Sequence, residues 1–279
     1  MTELREPKLG VAVGRKGCGK TYTTTNMIKR YVQGNPSAGV APRRVLILDV
    51  NDEFEDFKAL YQKDIIKFSA SPTIEARRIR VFHDSGPKKG VRLTLKEIQD
   101  LLFKILNDFR GGLLLIEDIN KYISDYLPND LVGAICTNRH TDTDIILHFQ
   151  SIGRISPKIW QNLNWIRFHK ITDDVAKHKN KFEEKFELLT LTEMYVNNEY
   201  EKGNKRVFVY VDMDDEKVMV PDKKKFRAIV EEYAIQNHKR LVLPLTKADS
   251  LRKTKALSPE VALKQVVEKL MRDYCGGYA

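Results

Sequence analysis

Apolar residues in the first 170 positions fall into two kinds of pattern. Short, nearly unbroken runs stand at 9–13, 44–49, 112–116, 144–149 and 165–168, with a weaker one at 79–82. Runs of that kind predict strands buried on both faces. Between them, apolar positions recur at helical spacing. Over 94–107, Leu95, Ile98, Leu101, Leu102, Ile105 and Leu106 make one stripe, with Thr94 placed to cap it. Helices are also expected over 22–32, over 130–139 and at Ser156-Pro157, where proline takes its favoured first helical position. Strands alternating with helices in this way predict an α/β fold, a mainly parallel sheet flanked by helices.

Beyond residue 170 the pattern changes. The strongly charged segment 173–199 predicts a helix, and 205–211 with 216–220 flank Asp212-Met213-Asp214-Asp215 as a hairpin. Segments 223–236 and 259–274 predict helices, and 245–257, rich in Lys, Ser and Thr, predicts a linker. The expected division is a core over 1–220 and a basic, mostly helical appendage over 221–279.

Composition narrows the class. The 279 residues are 42% hydrophobic, an ordinary share for a globular chain, so wholesale disorder is excluded. No run of about eighteen apolar residues occurs, so no membrane-spanning helix is expected. The first eight residues carry acids and lack an apolar core, so no signal peptide is expected either. Cys18, Cys136 and Cys275 are odd in number and scattered, which predicts neither a metal site nor a disulfide framework and suits a reducing cytosol. The net charge is +10, and 221–279 holds 13 Lys and Arg against 7 Asp and Glu. A basic tail of that kind suits a nucleic-acid backbone or a merely solvated surface.

Gly14-Arg15-Lys16-Gly17-Cys18-Gly19-Lys20-Thr21 matches G-x-x-x-x-G-K-[ST], the phosphate-binding loop of P-loop NTPases. A predicted strand enters it and a predicted helix leaves it. That turn aims several backbone N–H groups and the positive end of the helix dipole at one spot, which a polyphosphate fills. Lys20 is expected on the β/γ oxygens of ATP and Thr21 on Mg2+. Cys18 is expected to be filler and not a nucleophile.

A second NTPase element should be an apolar strand ending in acid, and Leu113-Leu114-Leu115-Ile116-Glu117-Asp118 supplies one. One carboxylate would serve the metal and the other the attacking water. The usual order, Asp then Glu, is reversed here, which leaves open whether Glu117 or Asp118 polarises the water. Gln150 follows the strand at 144–149, at the carboxyl edge of a parallel sheet, where an amide can hold the water or sense the γ-phosphate. Arg139 ends a predicted helix and is a candidate arginine finger or a helix C-terminal cation; Arg154 is a second finger candidate. His140 and His148 are too dispersed for a metal and are expected to be structural.

Taken in order, Gly14 to Thr21, Asp49-Val50-Asn51-Asp52-Glu53-Phe54, Leu113 to Asp118, and Asn138-Arg139-His140 leading to Gln150 resemble the HerA–FtsK superfamily. Within it, the set most resembles the small genome-packaging ATPases of tailless viruses with double-jelly-roll capsids. The likeness spans about residues 9–172. It departs at the inverted acid pair and at Phe149, where a small polar residue often precedes the glutamine. It implies a RecA/FtsK–HerA-like core and an ATP- and Mg2+-dependent, double-stranded-DNA-translocating ATPase that forms a homo-oligomeric ring. In that scheme residues 14–21 bind nucleotide, Thr21 and Glu117 hold the metal, Glu117, Asp118 and Gln150 act in hydrolysis, and Arg139 or Arg154 reaches a neighbouring subunit. It also implies a capsid-vertex or portal partner and a place in the host cytoplasm or with the virion.

Lys88, Lys89 and Arg92 are candidate DNA contacts, with a plain surface turn as the alternative. Three other functional readings compete. The first is a phage-assembly ATPase of the zonular-occludens-toxin type, which usually carries a transmembrane segment. The second is a GTPase, because Thr246-Lys247-Ala248-Asp249 imitates a guanine-reading motif, although no D-x-x-G precedes it. The third is a nucleotide-binding scaffold whose inverted acids hydrolyse nothing.

Overall fold

The computed structural model describes residues 6–119, 133–135, 138–247 and 256–277, with the backbone alone at 138 and 139. The chain divides into two compact units, Met1–Asp173 and Asp174–Ala279.

The first unit is built on a sheet of seven strands: β1 (Leu9–Val13), β2 (Arg44–Asp49), β3 (Lys58–Ala59), β4 (Ala76–Arg80), β5 (Gly112–Ile116), β6 (Thr143–Phe149) and β7 (Trp165–His169). Their order is β7-β1-β6-β5-β2-β4-β3, and each neighbouring pair is parallel. β1, β5 and β6 are buried along their whole length, β1 and β5 as unbroken apolar runs and β6 with Thr143, Asp144 and His148 among its buried residues. Because the strands are parallel, the carboxyl ends of β1, β6, β5 and β2 all meet one edge of the sheet. That edge carries the site.

The helices of this unit are α1 (Lys20–Gln33), α2 (Ile65–Ser69), α3 (Leu95–Asp108) and α4 (Pro157–Gln161). α1 packs on the sheet through Ile28, which joins Val45, Ile47, Phe54, Leu113, Leu115 and Ile146 in the core. α3 is closed at its start by a capping box. Thr94 Oγ1 accepts from Glu97 N at 3.3 Å, and Glu97 Oε2 accepts from Thr94 N at 2.8 Å. The stripe expected on α3 is buried at Ile98, Leu101, Leu102, Ile105 and Leu106, while Leu95 stays exposed on the first turn. Of the helix expected over 130–139, residues 133–135 are helical and Asn138–Thr141 form a 3-10 turn; the remainder lies outside the described residues.

The second unit holds α5 (Lys179–Phe182), α6 (Phe186–Glu201), the antiparallel hairpin β8 (Phe208–Asp212) and β9 (Lys217–Val220), α7 (Lys223–Gln236), α8 (His238–Leu241), α9 (Pro259–Tyr274) and β10 (Cys275–Gly277). β10 runs parallel to β9. The helix expected over 173–199 is broken at Glu183, whose φ of +39° a continuous helix does not allow. The division of the chain falls at 173, whereas the sequence suggested 220. The reason lies in the partners of α6. Tyr195 meets Phe226 of α7 edge-on, Glu199 pairs with Lys225 at 2.7 Å, and Glu187 accepts from Tyr233 at 3.1 Å and Tyr274 at 3.3 Å. Segment 174–220 therefore belongs with the helices that follow it. The charge shifts with the boundary: residues 174–279 hold 21 Lys and Arg against 18 Asp and Glu, a net +3, and residues 1–173 hold 27 against 20, a net +7.

Candidate functional site: a phosphate loop under an acidic edge

β1 runs into the glycine-rich turn, and the turn is fixed from both sides of the strand. Gly14 N donates to Phe149 O of β6 at 3.1 Å, and Arg15 N donates to Lys170 O, just past β7, at 2.8 Å. A Cβ on Gly14 would fall 2.6 Å from His169 Cβ and 2.8 Å from Cys18 Sγ, so only glycine lets the loop pack this closely. Gly19, at φ +89°, turns the chain into α1, whose first turn has no side-chain cap and no acid. The leading N–H groups of α1 are thus offered to the loop. Arg15, Lys16 and Gly17 are exposed. Lys20 folds its ammonium back onto Gly14 O and, at 3.1 Å, onto Arg15 O. Cys18 is buried, and that burial pushes its thiol up despite the pull of Lys20, as suits filler.

Beneath α1 lies a polar floor made by three neighbouring strands. The register sets Ala12 of β1 between His148 of β6 and Arg167 of β7. Thr24, His148, Arg167 and His169 are all at most 1% exposed. Arg167 donates to Thr24 Oγ1, to His169 Nε2 at 3.1 Å and to Lys20 O at 3.4 Å. Since Thr24 accepts from Arg167, its own proton can go to His148 Nε2, 2.9 Å away. Both imidazoles act as acceptors and are neutral. Burial, then Arg167 and Lys20, push His148 well below its ordinary value and His169 down to about 2.

The opposite wall is the acidic edge. Glu117 and Asp118 follow β5, and Asp118 adopts φ +40°. Glu117 Oε2 accepts from Asn51 N at 3.0 Å. Asp118 Oδ2 accepts from Asn51 Nδ2 at 2.9 Å and from Gln150 Nε2 at 3.0 Å. Burial raises the Glu117 carboxyl to about 8, against the hydrogen bonds from Asn51, with Asp49 and Glu53 adding to the rise. The expected residues 117, 118 and 150 therefore stand together, 117 and 118 joined by Asn51 and 150 held on Asp118. No role was expected for Asn51.

Thr21 does not donate to the β5 acids but to Glu53 Oε2, at 2.7 Å. The loop after β2 that carries Glu53 stood in the sequence as one segment of the HerA–FtsK-like set, with no contact to Thr21 expected. Arg154 is exposed at the end of the 3-10 turn Ile152–Arg154 and, among the described residues, takes no part in the group around Asp118. The Arg139 side chain and residues 248–249 of the guanine-like motif lie outside the described residues. Lys88 and Lys89 are exposed on a tight turn, while Arg92 donates to Val50 O at 2.9 Å and so braces the Asn51 loop.

Among the described residues, no group of three or more His, Cys, Asp or Glu side chains could hold a metal ion by itself. The donor set still fits a magnesium nucleotide. A hydroxyl beside one or two carboxylates is what Mg2+ takes when phosphates and water complete its shell. The uncapped start of α1 and the ammonium of Lys20 suit the phosphates. No helix among the described residues is long and apolar enough to cross a membrane.

No known protein family matches the chain, and no curated protein matches it. Solved structures do. The genome-packaging NTPase B204 of Sulfolobus turreted icosahedral virus 2, in complex with AMP, superposes with a TM-score of 0.50 at 15% identity, covering 78% of this chain and 99% of B204. The same protein in complex with sulfate gives 0.50 at 15% identity, covering 77% and 96%. The DNA-packaging ATPase B204 of Sulfolobus turreted icosahedral virus gives 0.49 at 15%, covering 77% and 97%. At these identities the likeness is one of fold. The chain has a P-loop NTPase-like α/β fold, a mostly parallel sheet flanked by helices.

Proposed function

We propose that this chain binds ATP with Mg2+ and hydrolyses it, as a ring-forming motor subunit that moves double-stranded DNA into a viral capsid. The observation that carries the reading is the single connected group formed by the phosphate loop and the strand edge. Thr21 reaches Glu53 in the loop after β2, Asn51 of that loop reaches Glu117 and Asp118, and Asp118 in turn reaches Gln150. That arrangement brings phosphate-binding and water-orienting groups to one edge of the sheet, which is what phosphoryl transfer to water requires.

In this reading residues 14–21 cradle the phosphates, and Lys20 swings from Gly14 O to the β/γ oxygens. Thr21 and a neighbouring carboxylate hold the magnesium ion, which when bound draws charge from the phosphate oxygens. A β5 carboxylate, steadied by Asn51 and Gln150, orients the attacking water and takes its proton. Gln150 is placed to report on the γ-phosphate. Arg139 serves as the finger across the subunit interface, with Arg154 as the less favoured candidate. The HerA–FtsK likeness of the motif set and the packaging role of B204 support the motor assignment. The charge balance supports a phosphate-backbone partner along the first unit as much as the second, and such contact would be independent of base sequence and sensitive to salt. A capsid-vertex or portal partner, and a place in the host cytoplasm or with the virion, belong to the same reading.

The test is ATP turnover by the purified chain with and without duplex DNA. Turnover stimulated by DNA supports the motor, preference for GTP would replace it with a switch, and nucleotide binding without turnover would leave a scaffold. Arg139→Ala mixed with Lys20→Ala subunits should recover turnover, because the intact phosphate loop of one then lies beside the intact arginine of the other. No recovery removes Arg139 from the interface.

A further inference from the structure

The hydroxyl that a phosphate-loop site presents to a metal is that of Thr21, and its proton goes to Glu53 Oε2 at 2.7 Å. An acceptor at that place turns the lone pairs of the threonine oxygen away from Glu53. The carboxylate of Glu117, expected at the metal, is engaged instead by Asn51 N, and that of Asp118 by Asn51 Nδ2 and Gln150 Nε2.

Glu53 is itself exposed, but its backbone is unusually well held for a loop residue. Asp49, 1% exposed at the end of β2, accepts from Glu53 N at 2.9 Å and Phe54 N at 3.1 Å. Arg78 of β4 bonds Asp49 at 2.8 Å and Asp52 at 2.6 Å, and Arg80 grips Asp52 at 2.8 and 2.6 Å. Asp52 sits at φ +59°, so this two-arginine clamp fixes the turn in a conformation that a non-glycine residue resists. On the far side of Glu53, Phe54 is 1% exposed and packs in the cluster that includes Ile28 of α1. The loop is thereby tied to the helix that carries Thr21. A carboxylate held against that hydroxyl from a braced backbone is a built feature.

We infer that Glu53 is the metal-side acid of this site, a positioning residue that aims the Thr21 oxygen at a magnesium ion brought in with the nucleotide. The inference rests on the nucleotide-binding reading above and assigns to the loop after β2 a part expected from the end of β5. It also accounts for the inverted acid pair. With the metal side served by Glu53, the order of Glu117 and Asp118 is no longer constrained by metal binding.

The experiment is equilibrium binding of a non-hydrolysable ATP analogue to the full chain, in EDTA and across a Mg2+ titration. It compares wild type with Glu53→Ala, Glu53→Gln and Glu117→Gln, with thermal unfolding showing that each chain is folded under the binding conditions. Expected for Glu53→Ala is wild-type affinity in EDTA, within about twofold, and a Mg2+ requirement raised on the order of tenfold. Glu53→Gln, which keeps an oxygen acceptor for Thr21 but no charge, should fall between them, and Glu117→Gln should shift the requirement less than Glu53→Ala. A wild-type Mg2+ response in Glu53→Ala overturns the inference. So does an equal loss with and without Mg2+, which would mark a collapsed loop, and so does a larger shift in Glu117→Gln. Wild-type chain that binds no analogue in either condition removes the nucleotide reading itself, and this inference with it.

Discussion

The floor beneath the phosphate loop and the acidic edge opposite it are both polar, both buried at their centres, and opposite in their response to protons. The floor keeps two imidazoles neutral beside Arg167, so acid works against it. The edge holds Glu117, whose carboxyl burial favours in the neutral form, so alkali works against it. One region fixes the position of α1 through Thr24 and the Lys20 carbonyl. The other holds carboxylates whose charge a magnesium nucleotide would change. On the proposed function, the contrast separates placement from chemistry: a floor with one protonation state across the working range, and an edge whose charge a bound magnesium nucleotide would change.

Lys20 joins the floor to the phosphate loop, its carbonyl on the floor and its ammonium over the loop. Lys20→Ala removes the charge while leaving the hydrogen bonds of both regions in place. The expected outcome is the largest here: loss of ATP affinity on the order of a hundredfold or more, with thermal stability near wild type. Isothermal titration with ATP and a melting curve check both halves. Affinity within about threefold of wild type would show that the loop does not bind phosphate through this lysine.

Glu117→Gln sharpens the comparison from the edge. Its carboxyl lies near 4.5 unfolded and near 8 folded, so between those values the folded chain binds more protons than the unfolded chain. Stability from this group is therefore lost as pH rises from about 5 to 8. Without nucleotide, urea unfolding should show wild type losing on the order of 3 kcal/mol relative to Glu117→Gln across that range. Parallel pH profiles for the two chains would mean that the edge is open to water.

How much of this was legible in the sequence follows from how local each signal is. The phosphate loop, the β5 acids and Gln150 are short motifs attached to strands whose apolar runs announce them, and the structure brings all of them to one edge. Glu53 was visible as an acid after β2, but its contact with Thr21 depends on the braced turn at Asp52 and on Phe54 packing beside Ile28. The floor was illegible for a similar reason. His148 and Arg167 lie inside apolar runs and read as strand residues, and only the register across β6, β1 and β7 sets them on either side of Ala12. β3 and β10 span two and three residues, too few to show alternation. The break at Glu183 has no glycine or proline to mark it, which is why 173–199 read as one helix.

His169→Gln completes the comparison from the floor, with a smaller effect. The imidazole accepts from Arg167, and a glutamine oxygen can replace that acceptor without being able to take a proton. In wild type the folded value near 2 lies below the unfolded 6.5, so the unfolded chain binds the extra proton. Stability from this group is complete above about pH 6.5 and is lost as pH falls. Between pH 7 and pH 5 the wild type should therefore lose about 2 kcal/mol relative to His169→Gln, the reverse of the slope expected for Glu117. The two substitutions should act independently, since one sits on β7 and the other beyond β5 with β1 and β6 between them. If the double variant's profile differs from the sum of the single changes, floor and edge are one coupled unit, and the separation of placement from chemistry fails.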